Sequence, residues 1–173
     1  MKISFAFALV TGLALLSRLA ADPLKVGDPA PAVTGVTDTG ASLNLGDVYK
    51  QQTYTLVYFY PKADTHGCTL QGCSLRDDYS ELTKKGVAVI GVSHDDVAAQ
   101  KAFKEKNHFP FTLIADTDQA VVKAFGVPNI PMTKLAKRQA YLIKNGVVVW
   151  ADYKASTSTQ AADVEKVLAD QKG

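Results

Sequence analysis

The 173-residue chain has only two cysteines, one tryptophan and no block of like charge. Its residues are 47% hydrophobic and 21% charged, which is near the average for globular proteins and excludes a disordered, collagen-like or disulfide-dense chain. Lys2 and Arg18 lie within the first 21 residues, and beyond them 17 basic residues balance 17 acidic residues. A neutral chain without a Lys/Arg block gives no reason to expect nucleic acid or an anionic membrane surface as a partner.

The first 21 residues are typical of a secretory signal peptide. Lys2 is followed by 14 uncharged residues over 3–16, and the segment ends in small residues at Ala20 and Ala21. Because spanning a bilayer takes roughly 20 apolar residues, no stable membrane partner is expected, and an uncleaved anchor is the alternative. The sequence therefore predicts an exported chain (periplasmic or secreted) whose mature part is one domain over 22–173. In such an oxidising compartment two cysteines can form a disulfide.

The remaining chain alternates strand and helix patterns, which predicts an α/β fold with a mixed central sheet flanked by helices. An N-terminal β-hairpin is expected over 32–45, around a turn at 37–40. Lys144-Asn145-Gly146 predicts a second, antiparallel hairpin near the C-terminus. The remaining strands are expected at 53–60, 87–92 and 111–115, and the helices at 69–85, 97–106, 119–125 and 160–171, with a loop over 127–137.

Cys68 lies where the first buried strand passes into the first long helix. At a helix N-terminus, unpaired backbone N–H groups and the positive end of the helix dipole stabilise an anion, here a thiolate. Thr65 can place its hydroxyl beside that sulfur. The sequence thus predicts a reactive cysteine at position 68.

Cys73 follows five residues later. Across five residues of an intact helix the side chains diverge by roughly 140°, whereas a disulfide needs Cα atoms within about 7 Å and converging Cβ atoms. Either the helix begins later than predicted or its first turns must unwind before the two sulfurs can bond. A redox pair and a static structural disulfide both remain open at this point. A zinc site finds no support, since three scattered histidines show no ligand spacing, and no C-x-x-C motif is present.

The segment over 58–69, YFYPKADTHGCT, closely resembles the active-site segment of peroxiredoxins, whose pattern is Pro-x-x-x-Thr/Ser-x-x-Cys. A second cysteine five residues after the first is similar to the PrxQ, or bacterioferritin-comigratory-protein, subfamily. The resemblance extends over nearly the whole mature chain, including VGDPAP over 26–31, SLRD over 74–77, AFGV over 124–127 and R-x-x-Y-L-I over 138–143. It implies a thioredoxin-like fold and reduction of hydrogen peroxide or organic hydroperoxides.

By this resemblance Cys68 corresponds to the peroxidatic cysteine and Cys73 to the resolving cysteine. Thr65 would hydrogen-bond the sulfur and the peroxide, Pro61 would shield the pocket from water, and Arg138 would be the catalytic arginine. The only other arginine beyond the first 21 residues, Arg76, has three acidic neighbours in sequence and is expected to form a surface ion pair.

One position departs from the family, which usually has proline where this chain has His66. A protonated histidine there would favour the thiolate, and the alternative is a solvated residue without a role.

The resemblance implies a hydroperoxide as substrate and a thioredoxin-like dithiol protein as reductant. The resulting mechanism needs no metal and no organic cofactor, and we expect the chain to be a monomer. Two other functions remain open from the residues alone. One is an exported thiol–disulfide oxidoreductase acting on protein dithiols, and the other is an exported binding domain with a structural bridge. Neither of these needs Thr65, Pro61 and Arg138 together.

Overall fold

The computed structural model describes residues 22–170, so the predicted signal peptide lies outside the described part. The strands are β1 (Thr34–Val36), β2 (Ser42–Asn44), β3 (Tyr54–Phe59), β4 (Val87–Ser93), β5 (Thr112–Ala115), β6 (Gln139–Lys144) and β7 (Val147–Asp152). The helices are α1 (Leu45–Gln51), α2 (His66–Asp77), α3 (Tyr79–Lys84), α4 (Val97–Asn107), α5 (Ala120–Ala124) and α6 (Gln160–Asp170). No helix among these residues is long and apolar enough to cross a membrane.

Five strands form one mixed sheet in the order β5-β4-β3-β6-β7. β3 pairs in parallel with β4 and antiparallel with β6, and β6 pairs antiparallel with β7 across the turn at Asn145 and Gly146, both with positive φ. β1 and β2 form a separate antiparallel pair, which confirms the predicted N-terminal hairpin. The predicted mixed sheet with flanking helices is likewise confirmed.

β3 is the central strand, and all six of its residues are buried. Because side chains alternate along a strand, Leu56 and Tyr58 point into one core and Val57 and Phe59 into the other. The first core also takes side chains from α2, α3, α4 and α6, and the second takes side chains from α1 and α5. Helices therefore cover both faces of the sheet, as its uncharged central strands require.

The helix predicted over 69–85 differs from the structure at both ends. α2 begins three residues earlier, because Thr65 adopts an extended N-cap conformation and its carbonyl accepts the first helical bond from the backbone N–H of Thr69. It also stops at Asp77, and α3 begins after Asp78. The carboxylates of Asp77 and Asp78 are repelled by the negative end of the α2 dipole, and this repulsion favours the end of the helix at this point.

The sequence pattern predicts no element over residues 46–52, most of which belong to α1 (Leu45–Gln51) in the structure. Asn44 caps this helix by accepting a hydrogen bond from the backbone N–H of Gly46 (2.9 Å). The sequence pattern for this helix is weak because Gly46, Val48 and Tyr49 all have modest helix propensity. Burial of Leu45 and Tyr49 in the second core supplies the stabilisation that propensity lacks.

Candidate active site

Cys68 is the third residue of α2, and its side chain is buried, with 2% of the residue exposed. The backbone N–H groups of the first three residues of a helix have no partner four residues earlier, so they concentrate partial positive charge around this position. Both cysteines are free thiols. A buried sulfur at a positive helix end is suited to react as a thiolate with a small electrophile.

Arg138 lies directly before β6 and faces the sulfur. The β3–β6 register pairs Phe59 with Gln139, so the residue before β6 comes to the end of β3, where the loop to α2 begins. The guanidinium Nη2 lies 3.4 Å from the Sγ of Cys68, and Nη1 donates a hydrogen bond to the Oε1 of Gln71 (2.5 Å). The structure thus brings the two predicted residues together, with a fixed positive charge at the sulfur.

Gln71 and Gln160 extend this arrangement, and neither is predicted from the sequence pattern. The Nε2 of Gln71 donates a hydrogen bond to the Oε1 of Gln160 (2.8 Å), and both side chains are fully buried. Gln71 carries a signal that could have found it, because it shares a helix face with Cys68 and Leu75 at three- and four-residue steps. A polar residue on such a buried face needs a partner. Gln160 gives no comparable signal.

Thr65 is the N-cap residue of α2, but its side chain does not make the predicted bond. Its hydroxyl donates to the carbonyl of Lys62 (3.0 Å) and makes no side-chain cap, and no bond to the Cys68 sulfur is present among the described residues. The extended N-cap backbone leaves this hydroxyl on an exposed loop, where the nearest carbonyl accepts it. Contact of Thr65 with the sulfur or a peroxide therefore stays a prediction.

The loop from β3 to α2 is held from the side of α4. Asp64 has φ of +59°, a left-handed conformation, and accepts two hydrogen bonds from the Nζ of Lys106 (2.7 and 2.9 Å). The backbone N–H of Ala63 donates to Asp95 (2.7 Å). Pro61, partly buried, begins this loop. These contacts fix the approach of the chain to Cys68.

Cys73 lies in the same unbroken helix as Cys68, and its side chain is partly buried against the first core. Its helix neighbours hold α2 in place. A Cβ at Gly72 would lie 2.4 Å from the Cζ of Phe109, so the helix packs directly on that ring. The Oγ of Ser74 accepts a hydrogen bond from the backbone N–H of Ala161 (3.1 Å). Since α2 is wound through both cysteines, the geometric barrier to a direct disulfide applies to this conformation.

The other polar residues near the site keep to the periphery. Arg76 binds Asp77 (2.7 Å) and the carbonyl of Asn107 (2.8 Å), which confirms the predicted surface ion pair. His66 is exposed at the first position of α2, and its side chain makes no hydrogen bond among residues 22–170. Within the same residues, no group of three or more His, Cys, Asp or Glu side chains is arranged to hold a metal.

Two tyrosines lie beneath the site in the first core. Tyr60 donates a hydrogen bond to the Oε1 of Gln100, and Tyr58 stacks on Tyr60 with ring centroids 5.5 Å apart. Burial raises the pKa of both phenols well above the ordinary value for tyrosine. Both therefore stay neutral, and they add no negative charge that would compete with the Cys68 sulfur for Arg138.

Residues 26–151 match the model of the AhpC/TSA family. The chain is 47% identical over 106 residues to peroxiredoxin Bcp of Escherichia coli, covering 61% of this chain and 67% of that protein. It is 45% identical over 104 residues to a putative peroxiredoxin bcp of Coxiella burnetii, covering 60% of this chain and 68% of that protein.

The solved structure of the peroxidoxin BcpB from Mycobacterium tuberculosis superposes with a TM-score of 0.79 at 27% identity. The superposition covers 85% of this chain and 97% of that one. Agreement over this length confirms the predicted thioredoxin-like architecture.

Proposed function

The chain belongs to the AhpC/TSA family, the peroxiredoxins, and we propose that in this thiol peroxidase Cys68 is the peroxidatic cysteine and Cys73 the resolving cysteine. The single observation that carries the assignment of Cys68 is the 3.4 Å contact between its sulfur and the Nη2 of Arg138. Of the two cysteines, only Cys68 combines a helix N-terminus with a partly buried guanidinium contact, which are the two features that stabilise a thiolate.

In the first step the Cys68 thiolate attacks one oxygen of the hydroperoxide. An S–O bond forms as the O–O bond breaks, so the sulfur is oxidised to a sulfenic acid and the peroxide is reduced. Negative charge grows on the departing oxygen, which takes up a proton and leaves as water or an alcohol. Arg138 and the backbone N–H groups at the start of α2 are already aimed at this point, so they stabilise that charge without rearranging.

In the second step the thiol of Cys73 condenses with the sulfenic acid of Cys68, forming the disulfide and releasing water. The first turns of α2 must unwind for the sulfurs to meet, since both cysteines lie in one wound helix. A dithiol protein of the thioredoxin type then reduces the disulfide by exchange and is itself oxidised. This cycle uses no cofactor.

A thiol–disulfide oxidoreductase acting on protein dithiols is not favoured by the relatives, which are named peroxiredoxins. We also propose that the chain is exported after cleavage near residue 21 and works as a monomer. The support for export is the signal-peptide pattern of residues 1–21. N-terminal sequencing of the protein from its native host and the mass of the purified protein in solution test these two points.

The decisive experiment mixes purified, reduced protein with hydrogen peroxide and, separately, with an organic hydroperoxide. Peroxide should disappear in stoichiometric amount without a reductant, and catalytically with thioredoxin and its reductase. Cys68→Ser is the matched control and should consume none. Peroxide loss at the same rate in that variant would overturn the assignment of Cys68.

A further inference from the structure

We propose that Gln160, the first residue of α6, is a positioning residue that holds Arg138 at the sulfur through Gln71. We propose further that the same contact keeps α2 wound, so that Gln160 favours attack on peroxide and opposes formation of the disulfide. The inference rests on the proposed function, since it assigns Gln160 a part in two steps of that reaction.

Arg138, Gln71 and Gln160 form a relay of two hydrogen bonds, and Arg138 dictates the direction of both. A guanidinium has only donors, so Gln71 must turn its carbonyl oxygen towards Arg138 and its NH2 group away from it. That NH2 group is fully buried and requires an acceptor inside the protein. The Oε1 of Gln160 is the acceptor it meets. Gln160 therefore fixes which way the amide of Gln71 points, and Gln71 in turn fixes Arg138.

The far end of the relay shows that this direction is enforced. The Nε2 of Gln160 is buried and has no hydrogen-bond partner among residues 22–170. Turning the amide of Gln160 over would set its NH2 group against the NH2 group of Gln71, two donors facing each other. The fold thus leaves one buried donor unpaired at the end of the relay and keeps the acceptor where Gln71 needs it.

The chain that leads into α6 also lies along α2 for the whole distance between the two cysteines. A Cβ at Gly67 would lie 3.3 Å from the Nη2 of Arg138 and 3.4 Å from the Cγ2 of Thr157. Further along α2, Ser74 accepts the bond from the backbone N–H of Ala161. Gln71 is between these two contacts, so unwinding of α2 must break its bonds to both Arg138 and Gln160.

Two consequences of opposite sign follow. Loss of the acceptor at position 160 frees Gln71 to turn or to leave the core, which loosens Arg138 and slows attack on peroxide. The same loss removes a bond that exists only in the wound helix, so unwinding becomes easier and the disulfide forms faster. A residue that merely filled space would not slow one step and speed the other.

The test compares Gln160→Met, which keeps the shape and removes the acceptor, with Gln160→Glu, which keeps an acceptor oxygen. Rapid quenching after mixing with hydrogen peroxide, followed by mass spectrometry, measures sulfenic acid formation in a Cys73→Ser background and disulfide formation in the two-cysteine protein. Gln160→Met should slow the first by about tenfold and speed the second by a similar factor, as expected for one hydrogen bond. In Gln160→Glu, the rates of sulfenic acid formation and of disulfide formation should both stay within about twofold of those of the parent protein.

Two controls separate this role from general loosening. Ser158→Ala changes an exposed residue just before α6 and should alter neither step. Ser74→Ala removes a bond between α2 and α6 without touching the relay, so it should leave peroxide attack unchanged. Equal effects of Gln160→Met and Gln160→Glu on attack, or slowing of both steps by Gln160→Met, would overturn the proposal. A parent protein that consumes no peroxide would instead overturn the proposed function.

Discussion

The Nη2 atom of Arg138 lies 3.4 Å from the Sγ atom of Cys68, although 70 residues separate them in the chain. The sheet creates this contact, since pairing of Phe59 with Gln139 sets the position of Arg138 while α2 sets that of Cys68. The guanidinium also reaches Gln71 with a second nitrogen. One planar group therefore makes two contacts at once, which a single ammonium cannot reproduce in the same geometry.

Replacement of Arg138 by lysine should consequently slow the attack on peroxide, on the order of 100-fold, the effect of losing one donor to a developing negative charge. The second-order rate constant of the reduced protein with hydrogen peroxide, measured in a single turnover, tests this. Arg76→Lys is the matched control, because Arg76 binds Asp77 at the surface, and its rate should stay close to that of the parent. Similar losses in the two variants would show that Arg138 has no special role.

Much of this site is predictable from sequence because its main parts follow local rules. A cysteine after a buried strand and at a helix start, with one arginine opening a later strand, is visible in the residue order. What the sequence does not show depends on long-range packing. Gln160 meets Gln71 across 89 residues, and its own neighbours give no sign of it. The bond that the Thr65 hydroxyl makes in this conformation is also not visible in sequence, because it depends on how the loop presents the carbonyl of Lys62.

The hydroxyl of Tyr58 provides a prediction about stability. It is fully buried, and it has no hydrogen-bond partner among the described residues. An unpaired buried hydroxyl costs about 1–3 kcal/mol, so Tyr58→Phe should raise the free energy of unfolding rather than lower it. Chemical unfolding monitored by circular dichroism measures this. A less stable variant would mean that the hydroxyl has a partner that the fold alone does not reveal.

Gly72 should resist substitution because α2 lies directly on Phe109. A methyl group at this position would come within 2.4 Å of the Cζ of Phe109. That ring is itself held between Phe103 and Phe111, with centroids 5.0 and 5.2 Å away. Gly72→Ala should therefore destabilise the protein by about 1–3 kcal/mol through overpacking, despite the better helix propensity of alanine. Thermal unfolding measures the loss, and Phe109→Leu in the same protein should recover part of it. If Phe109→Leu recovers none of the stability lost in Gly72→Ala, the strain does not arise from contact with Phe109.

Asp116 should make stability depend on pH in the acid range. Its pKa is raised above 3.8 because burial disfavours the charged form more than the backbone N–H groups of Val121 and Val122 favour it. The folded state therefore holds this proton more tightly than the unfolded state does. The resulting stabilisation is complete below the unfolded-state value and is lost as the pH rises through the folded-state value.

Asp116→Asn removes this pH dependence. Relative to the variant, the parent should therefore have a higher free energy of unfolding at low pH than it has at pH 7. Urea unfolding of both proteins across the acid range measures that difference. A difference that instead grows in favour of the parent as pH rises would mean that the two N–H bonds outweigh the burial.

The last prediction concerns Cys73 and follows from the wound helix. Disulfide formation requires the first turns of α2 to open, so the reduced and oxidised proteins should differ in helicity and in amide exchange over roughly residues 68–76. The bonds at stake include those of Gln71 and Ser74 to α6. Each hydrogen bond contributes about 1 kcal/mol net, so a covalent bond can offset the loss of several.

Cys73→Ser should keep the first peroxide turnover, because Cys68 and Arg138 are untouched. It should lose sustained turnover with a dithiol protein, since the sulfenic acid of Cys68 has no neighbouring thiol with which to condense. The stranded sulfenic acid should then react with further peroxide and advance to sulfinic acid. Mass spectrometry of the Cys68 peptide after graded peroxide would show this as added oxygen. Normal sustained turnover of Cys73→Ser with the same donor would instead mean that Cys68 works alone and that α2 need not unwind at all.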